Sequence, residues 1–351
     1  MATPYHRLAR ETPAYAWWKL PVAAPVIVVV YFGLTILLIV AAAVWFAASS
    51  SSGSLDGWFD AVGDLDTAHL DYFVLDLLSI ALLIPAVLLG VLATGPRPVG
   101  YLSSVAGRLR WRWLGLTAVV ATVVTTVTIG GSLVVGEVTD PSEASTPTVI
   151  DPSTAWALLA ILLVVPLQSA AEEYLFRGYL MQLVGSWTRF AIVPVVVTTP
   201  LFVAGHGYGL WGLLDVGLFG LTAAVLTIRT GGLEAAIAAH AANNVVLFAL
   251  DALGVISATD DTGAGPLDLV PTVVSSVLLV VAIEWLARRR GVQRTRDPIP
   301  DPPPPLAPMW PPPPYAMVWY QPVQPVTPVA PGPALHPDTP DYPGELPPGW
   351  R

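Results

Sequence analysis

Two adjacent carboxylates, an arginine, two histidines and an asparagine stand at helical spacing in a stretch otherwise poor in ionisable groups. In PLQSAAEEYLFRGYL, Glu172 and Glu173 are neighbours and Arg177 follows Glu173 by four residues. On a helix that spacing sets Glu173 and Arg177 on one face as an ion pair and turns Glu172 about 100° away. One glutamate is held and the other is left for chemistry. In PLFVAGHGY, Phe202 precedes His206 by four residues, and in EAAIAAHAANN, His240 precedes Asn244 by four, on one face of an Ala-rich helix. Of the 5 histidines, only these two fall in apolar segments; His6, His69 and His336 lie in a terminus, a loop and the tail. Taken singly, an acidic pair reads as the solvated end of a helix and a buried histidine as a satisfied core residue. The three pairs together carry the functional reading.

The chemistry they suit is peptide hydrolysis, which requires a base to deprotonate water and donors for the developing oxyanion. Glu172 and His206 suit water activation. His240 and Asn244 offer donors from one helix face, and Arg177 restrains Glu173. A metal-based version stays open, in which Glu172, His206 and His240 form a two-histidine, one-carboxylate zinc set with one position left for water. No HExxH motif places two ligands one turn apart, and no GxSxG motif supplies a serine nucleophile. Asp215, in WGLLDVGLFG, reads as a structural or interfacial residue, and Gln168 and Ser169 as polar links between helices.

The elements that must position these groups are membrane helices. Only 12% of the chain is charged and 54% is hydrophobic, which does not suit a water-facing globule. A spanning helix needs roughly 20 mostly apolar residues, and eight segments approach this: 25–48, 72–93, 113–136, 155–171, 190–204, 210–228, 233–250 and 269–286. The first is too long for a cleaved signal peptide and reads as a signal anchor. Ionisable groups inside such helices cost about 2.5–3.5 kcal/mol each on insertion scales, so their presence is a functional hypothesis. Arginines and lysines gather before the first span, between the second and third, and after the last, whereas the alternate loops hold acidic residues. By the positive-inside rule both termini are expected in the cytoplasm, which requires an even number of spans. Trp17, Trp18, Trp111 and Trp113 stand near span ends as interface anchors. The tail from Asp297 holds more than half of the 36 prolines; it is expected to be disordered, with polyproline II stretches that a Pro-rich-motif partner could bind. The absence of cysteine excludes a disulfide framework, thiolate metal sites and lipidation at cysteine.

The combination EExxxR, FxxxH and HxxxN on successive membrane helices resembles the CPBP family. That family comprises CAAX-type prenyl endopeptidases and bacteriocin-processing or self-immunity proteins. Glu172, Glu173 and Arg177 match the first motif, Phe202 and His206 the second, and His240 and Asn244 the third. The resemblance covers about 155–250; the preceding helices and the tail carry no such motif. It implies an intramembrane endopeptidase with a metal-free mechanism, although the family is often named as metalloproteases.

The expected architecture is an all-α membrane protein, a polytopic bundle of about eight transmembrane helices with a disordered Pro-rich C-terminal tail. Its parts are a cytoplasmic N-terminus (1–24), three N-terminal transmembrane helices (25–136), a CPBP-like core (150–290) and the tail (291–351). The expected partners are the lipid bilayer and a membrane-attached peptide or protein substrate, with no nucleic acid. Two other classes stand beside the peptidase: a proton-coupled transporter using the same groups as a relay, and a noncatalytic scaffold or immunity factor recruiting partners through the tail.

Overall fold

The computed structural model describes residues 2–12, 15–49, 67, 69–95, 99–139 and 150–297. The expected Pro-rich tail lies outside the described residues from position 298 on. The helices are α1 (Lys19–Ala48), α2 (Leu70–Ala81), α3 (Leu83–Thr94), α4 (Trp111–Thr139), α5 (Pro152–Glu173), α6 (Met181–Gly185), α7 (Ile192–Val203), α8 (Leu210–Thr230), α9 (Glu234–Ala252) and α10 (Leu269–Arg289). A π-helical stretch, Tyr174–Leu180, joins α5 to α6 without ending the helix. A 3₁₀ turn, Tyr5–Glu11, precedes α1.

Local sequence explains the punctuation. Pro85 has no N–H to give the Ala81 carbonyl, and the helix is interrupted between α2 and α3 at Leu82. Asp151 caps α5, its carboxylate accepting from the Thr154 amide at 2.8 Å, with Pro152 in the first turn where no N–H is needed. Gly231, at φ 68°, closes α8 in the left-handed region that other residues rarely adopt.

Among the described residues seven helical units are long and apolar enough to cross a membrane, with α2–α3 counted as one and α5 through α6 as another. Their outer faces carry large apolar side chains, among them Val29 at 72% and Leu37 at 66% exposure. A surface of that kind is built for lipid, where helices satisfy every backbone group internally. The chain is an integral membrane protein with an all-α bundle.

The expectation of eight spans meets one departure. The segment expected at 190–204 forms α7, which has 12 residues; that is about 18 Å at 1.5 Å per residue, short of the roughly 30 Å hydrocarbon layer. Glycines at 205, 207 and 209 follow it in a non-helical loop. Yet Thr3–Pro4 pairs antiparallel with Thr295–Arg296 as strands β1 and β2. The two ends of the described chain thus meet at one place, and α7 stands beside the seven long units as a short apolar helix.

α9 sits at the centre, packed against α4, α5 and α8. Its Ala235, Ala238, Ala239 and Ala242 join Trp113, Ala121, Leu226 and Ile283 in one core cluster. Small side chains let the helix backbones approach closely where no hydrophobic drive from water exists. At its first turn, Glu234 is 0% exposed and accepts from the Arg110 backbone N–H at 2.8 Å and its guanidinium at 2.8 and 2.7 Å. That clamp fixes the depth at which His240 and Asn244 sit.

Candidate active site

Glu173, at the end of α5, is fully buried, and its Oε1 accepts from Arg177 Nη1 at 2.9 Å and faces His240 Nδ1 at 2.8 Å. A carboxylate already paired with arginine is an acceptor only, so Nδ1 carries the proton in that contact. Arg177, itself 1% exposed, also donates to the Gly220 carbonyl at 2.9 Å and lies 4.2 Å over the Phe202 ring. Gly220 belongs there because a Cβ would stand 3.0 Å from Phe202 and 3.2 Å from the guanidinium. The π-helical stretch begins at the next residue and contains Arg177; such turns recur where a helix is adapted to a site.

Glu172 points elsewhere. Its Oε1 accepts from Gln168 Nε2 at 2.5 Å, one helical turn earlier. Its Oε2 is buried with no hydrogen-bond partner among the described residues and lies 3.9 Å from His240 Nε2. The ring nitrogen and the carboxylate oxygen thus face each other across a gap too long for a direct bond.

His206 is held differently. Its Nδ1 donates to the Phe202 carbonyl at 2.9 Å, which leaves Nε2 as the free nitrogen. The rings of His206 and His240 pack against Phe202 at 4.8 and 5.9 Å between centroids, and Phe219 lies 5.0 Å from His240. His206 is half-buried and makes no hydrogen bond to Glu172. It lines a groove of about 710 Å³ between α7 and α8, with Pro200, Val203, Leu214, Leu218 and Leu269. The pairing read from sequence joined His206 to Glu172; the residue facing Glu172 is His240.

Asn244 donates to Gln168 Oε1 at 3.3 Å and accepts from Asn243 Nδ2 at 3.2 Å, and Ser169 Oγ donates to Gln168 Oε1 at 3.3 Å. Gln168, read from sequence as a polar link between helices, does join α5 to α9, but its contact with Glu172 was not foreseen, and Asn243 and Phe219 are site contacts that sequence reasoning missed. The signal for Gln168 was present, since it precedes Glu172 by the same four residues that separate the other pairs. Asp215 lies apart on α8, with its Oδ1 buried and without a hydrogen-bond partner among the described residues.

Above the site, the Gly209 N–H donates to Asp261 Oδ2 at 2.6 Å, so the α9–α10 loop holds the loop that carries His206. Tyr208 stacks on His206 at 6.1 Å.

No group of three or more acidic or histidine side chains converges closely enough to hold a metal among the described residues. Glu172 and His240 face one another, but His206 is turned to the Phe202 carbonyl. As arranged, the three do not fit a zinc site.

Residues 153–246, which contain all of these motif positions, match the family model described as type II CAAX prenyl endopeptidase Rce1-like. The uncharacterized protein YyaK of Bacillus subtilis (strain 168) is 35% identical over 99 residues, 26% of this chain and 33% of YyaK. The match therefore spans about a third of that relative's length. No solved structure matches the chain. The segment that carries the candidate site, residues 153–246, is the part of the chain that is similar to the type II CAAX prenyl endopeptidase Rce1-like family.

Proposed function

We propose that the protein is an intramembrane endopeptidase of the CAAX-protease type, with Glu172 as the base. The observation that carries this reading is the gap of 3.9 Å between His240 Nε2 and Glu172 Oε2, a buried oxygen with no hydrogen-bond partner among the described residues. A water seated there donates one hydrogen to each, and its lone pairs face away from both, toward a carbonyl carbon. Glu172 takes a proton as the oxygen attacks, and the same proton passes to the amine nitrogen when the peptide C–N bond breaks. Glu173 and Arg177 fix the His240 tautomer and ring plane. His206 offers Nε2 from the groove wall, so its work is on the substrate rather than on the water of Glu172. His240 donates to an oxyanion only after gaining a second proton.

The family description supports a membrane-attached peptide ending in a CAAX-type segment as the substrate. We also infer that both termini face the cytoplasm. The paired strands share their face with Arg110, Arg229, Arg288 and Arg294, all bonded at helix ends there, as the positive-inside rule requires of the cytoplasmic side.

The test is cleavage, in vesicles, of an internally quenched peptide with a prenylated cysteine near its C-terminus, beside the same peptide unprenylated. The wild-type protein is expected to cut the prenylated peptide, and the Glu172→Gln variant to lose on the order of 10²–10⁴ in rate. Equal cleavage by that variant would remove Glu172 as the base. Chelator is expected to leave the rate unchanged; loss with recovery on added zinc would show that His206 moves in to complete a metal set.

A further inference from the structure

Three side-chain amides in the core all point their hydrogens the same way. Asn243 Nδ2 donates to Asn244 Oδ1 at 3.2 Å, Asn244 Nδ2 donates to Gln168 Oε1 at 3.3 Å, and Gln168 Nε2 donates to Glu172 Oε1 at 2.5 Å. The direction is set by the last member. An ionised carboxylate only accepts, so Gln168 must present its NH₂ to Glu172. Its carbonyl then faces Asn244, which must present an NH₂ in turn and leave its own carbonyl to Asn243. Reversing any one amide would put two acceptors against each other. Gln168 is 5% exposed, so its hydrogen bonds are made with protein groups in a medium of low dielectric.

We propose that Asn243, Asn244 and Gln168 form a directed amide chain that ends on Glu172, holds Oε1 and leaves Oε2 turned to His240, making Gln168 and Asn243 positioning residues of the site. The sequence motif contains neither of the two. Hydrogen bonds in a head-to-tail chain polarise one another, so the bond on the carboxylate depends on the far end as well as on the nearest donor. Asn244 has a second amide hydrogen outside the chain. Its carbonyl and one hydrogen serve Glu172, which gives this residue work distinct from oxyanion binding.

The proposal rests on Glu172 being the working carboxylate, and its test uses a signal that needs no substrate. The infrared carboxylate band of Glu172 is isolated by subtracting the spectrum of E172Q from that of the full-length protein in vesicles. It is then measured in Gln168→Met, which keeps the side-chain length without an amide, and in Asn243→Ala, which is part-exposed and has no bond to Glu172. A displaced band in both variants, smaller for Asn243→Ala, is the expected result. A band unmoved in Gln168→Met, or displaced in Gln168→Met and unmoved in Asn243→Ala, overturns the directed chain. Cleavage of the quenched prenylated peptide is followed in parallel, with a fall of on the order of tenfold in kcat and little change in KM expected for Gln168→Met. If no form of the protein cuts that peptide, the endopeptidase reading fails while the band still decides the chain.

Discussion

At the scale of single residues, the two adjacent glutamates divide by what each oxygen touches. Glu173 is spent on its neighbours, with Oε1 shared by Arg177 and His240, whereas Glu172 keeps one buried oxygen open. Removing Glu173 leaves the guanidinium of Arg177 buried without its counter-charge. A Glu173→Ala variant is therefore expected to lose about 3–5 kcal/mol of stability, read as a lower thermal unfolding midpoint in detergent. Glu172→Ala strands only the neutral amide of Gln168, so its midpoint is expected to fall less, by about 1–3 kcal/mol of stability. The spacing of four made the Glu173–Arg177 pair legible in the sequence. The spacing could not show that His240 rather than His206 faces Glu172, because which helix approaches which is a matter of packing and not of periodicity along one helix.

Among the elements, α5 is the one whose ends are set by polar groups rather than by loss of apolar residues. Asp151, outside the span and exposed, is held at a pKa of about 2, by the Ser153 hydroxyl first and then the Thr154 amide and hydroxyl. Its folded value lies below the unfolded one of about 3.9, so the cap's contribution is present above pH 4 and is lost as pH falls toward 2. The protection of the Thr154 amide from hydrogen exchange, relative to its intrinsic rate at each pH, is expected to fall over that interval in the wild type; Asp151→Ala should show low protection at every pH. A cap of this kind is visible in the sequence as Asp151 before Pro152. The short α7 was not: its apolar run is continuous with the loop, and only the glycines at 205, 207 and 209 hinted that the helix stops before the bilayer does.

For the whole molecule, the charge pattern along the chain announced an even number of passages. Among the described residues the structure has seven long units and the short α7, while strands β1 and β2 bring the two ends of the described chain together. The absence of cysteine makes every introduced thiol a unique label. Thr3→Cys and Thr295→Cys are expected to react with an impermeant maleimide from one side of sealed vesicles, and Asp260→Cys from the other. Labelling of positions 3 and 295 from opposite sides would contradict the paired strands. The antiparallel pairing itself, two residues on each side, was beyond sequence reasoning because neither segment has a strand's alternation.

The π-helical stretch from Tyr174 to Leu180 means that the helix carrying the glutamates holds surplus chain relative to an α-helix of the same length. One deletion there would turn it into an ordinary helix. α6 would keep its present faces, with Gln182 still bonded to the Tyr101 carbonyl and Gly185 still against His6. A different side chain, however, would arrive where the guanidinium of Arg177 now lies over Phe202. The site is therefore written in the length of this segment as well as in its letters, and a chain one residue shorter could fold with every motif residue present and the Glu173–Arg177 pair no longer aimed at Phe202 and His240.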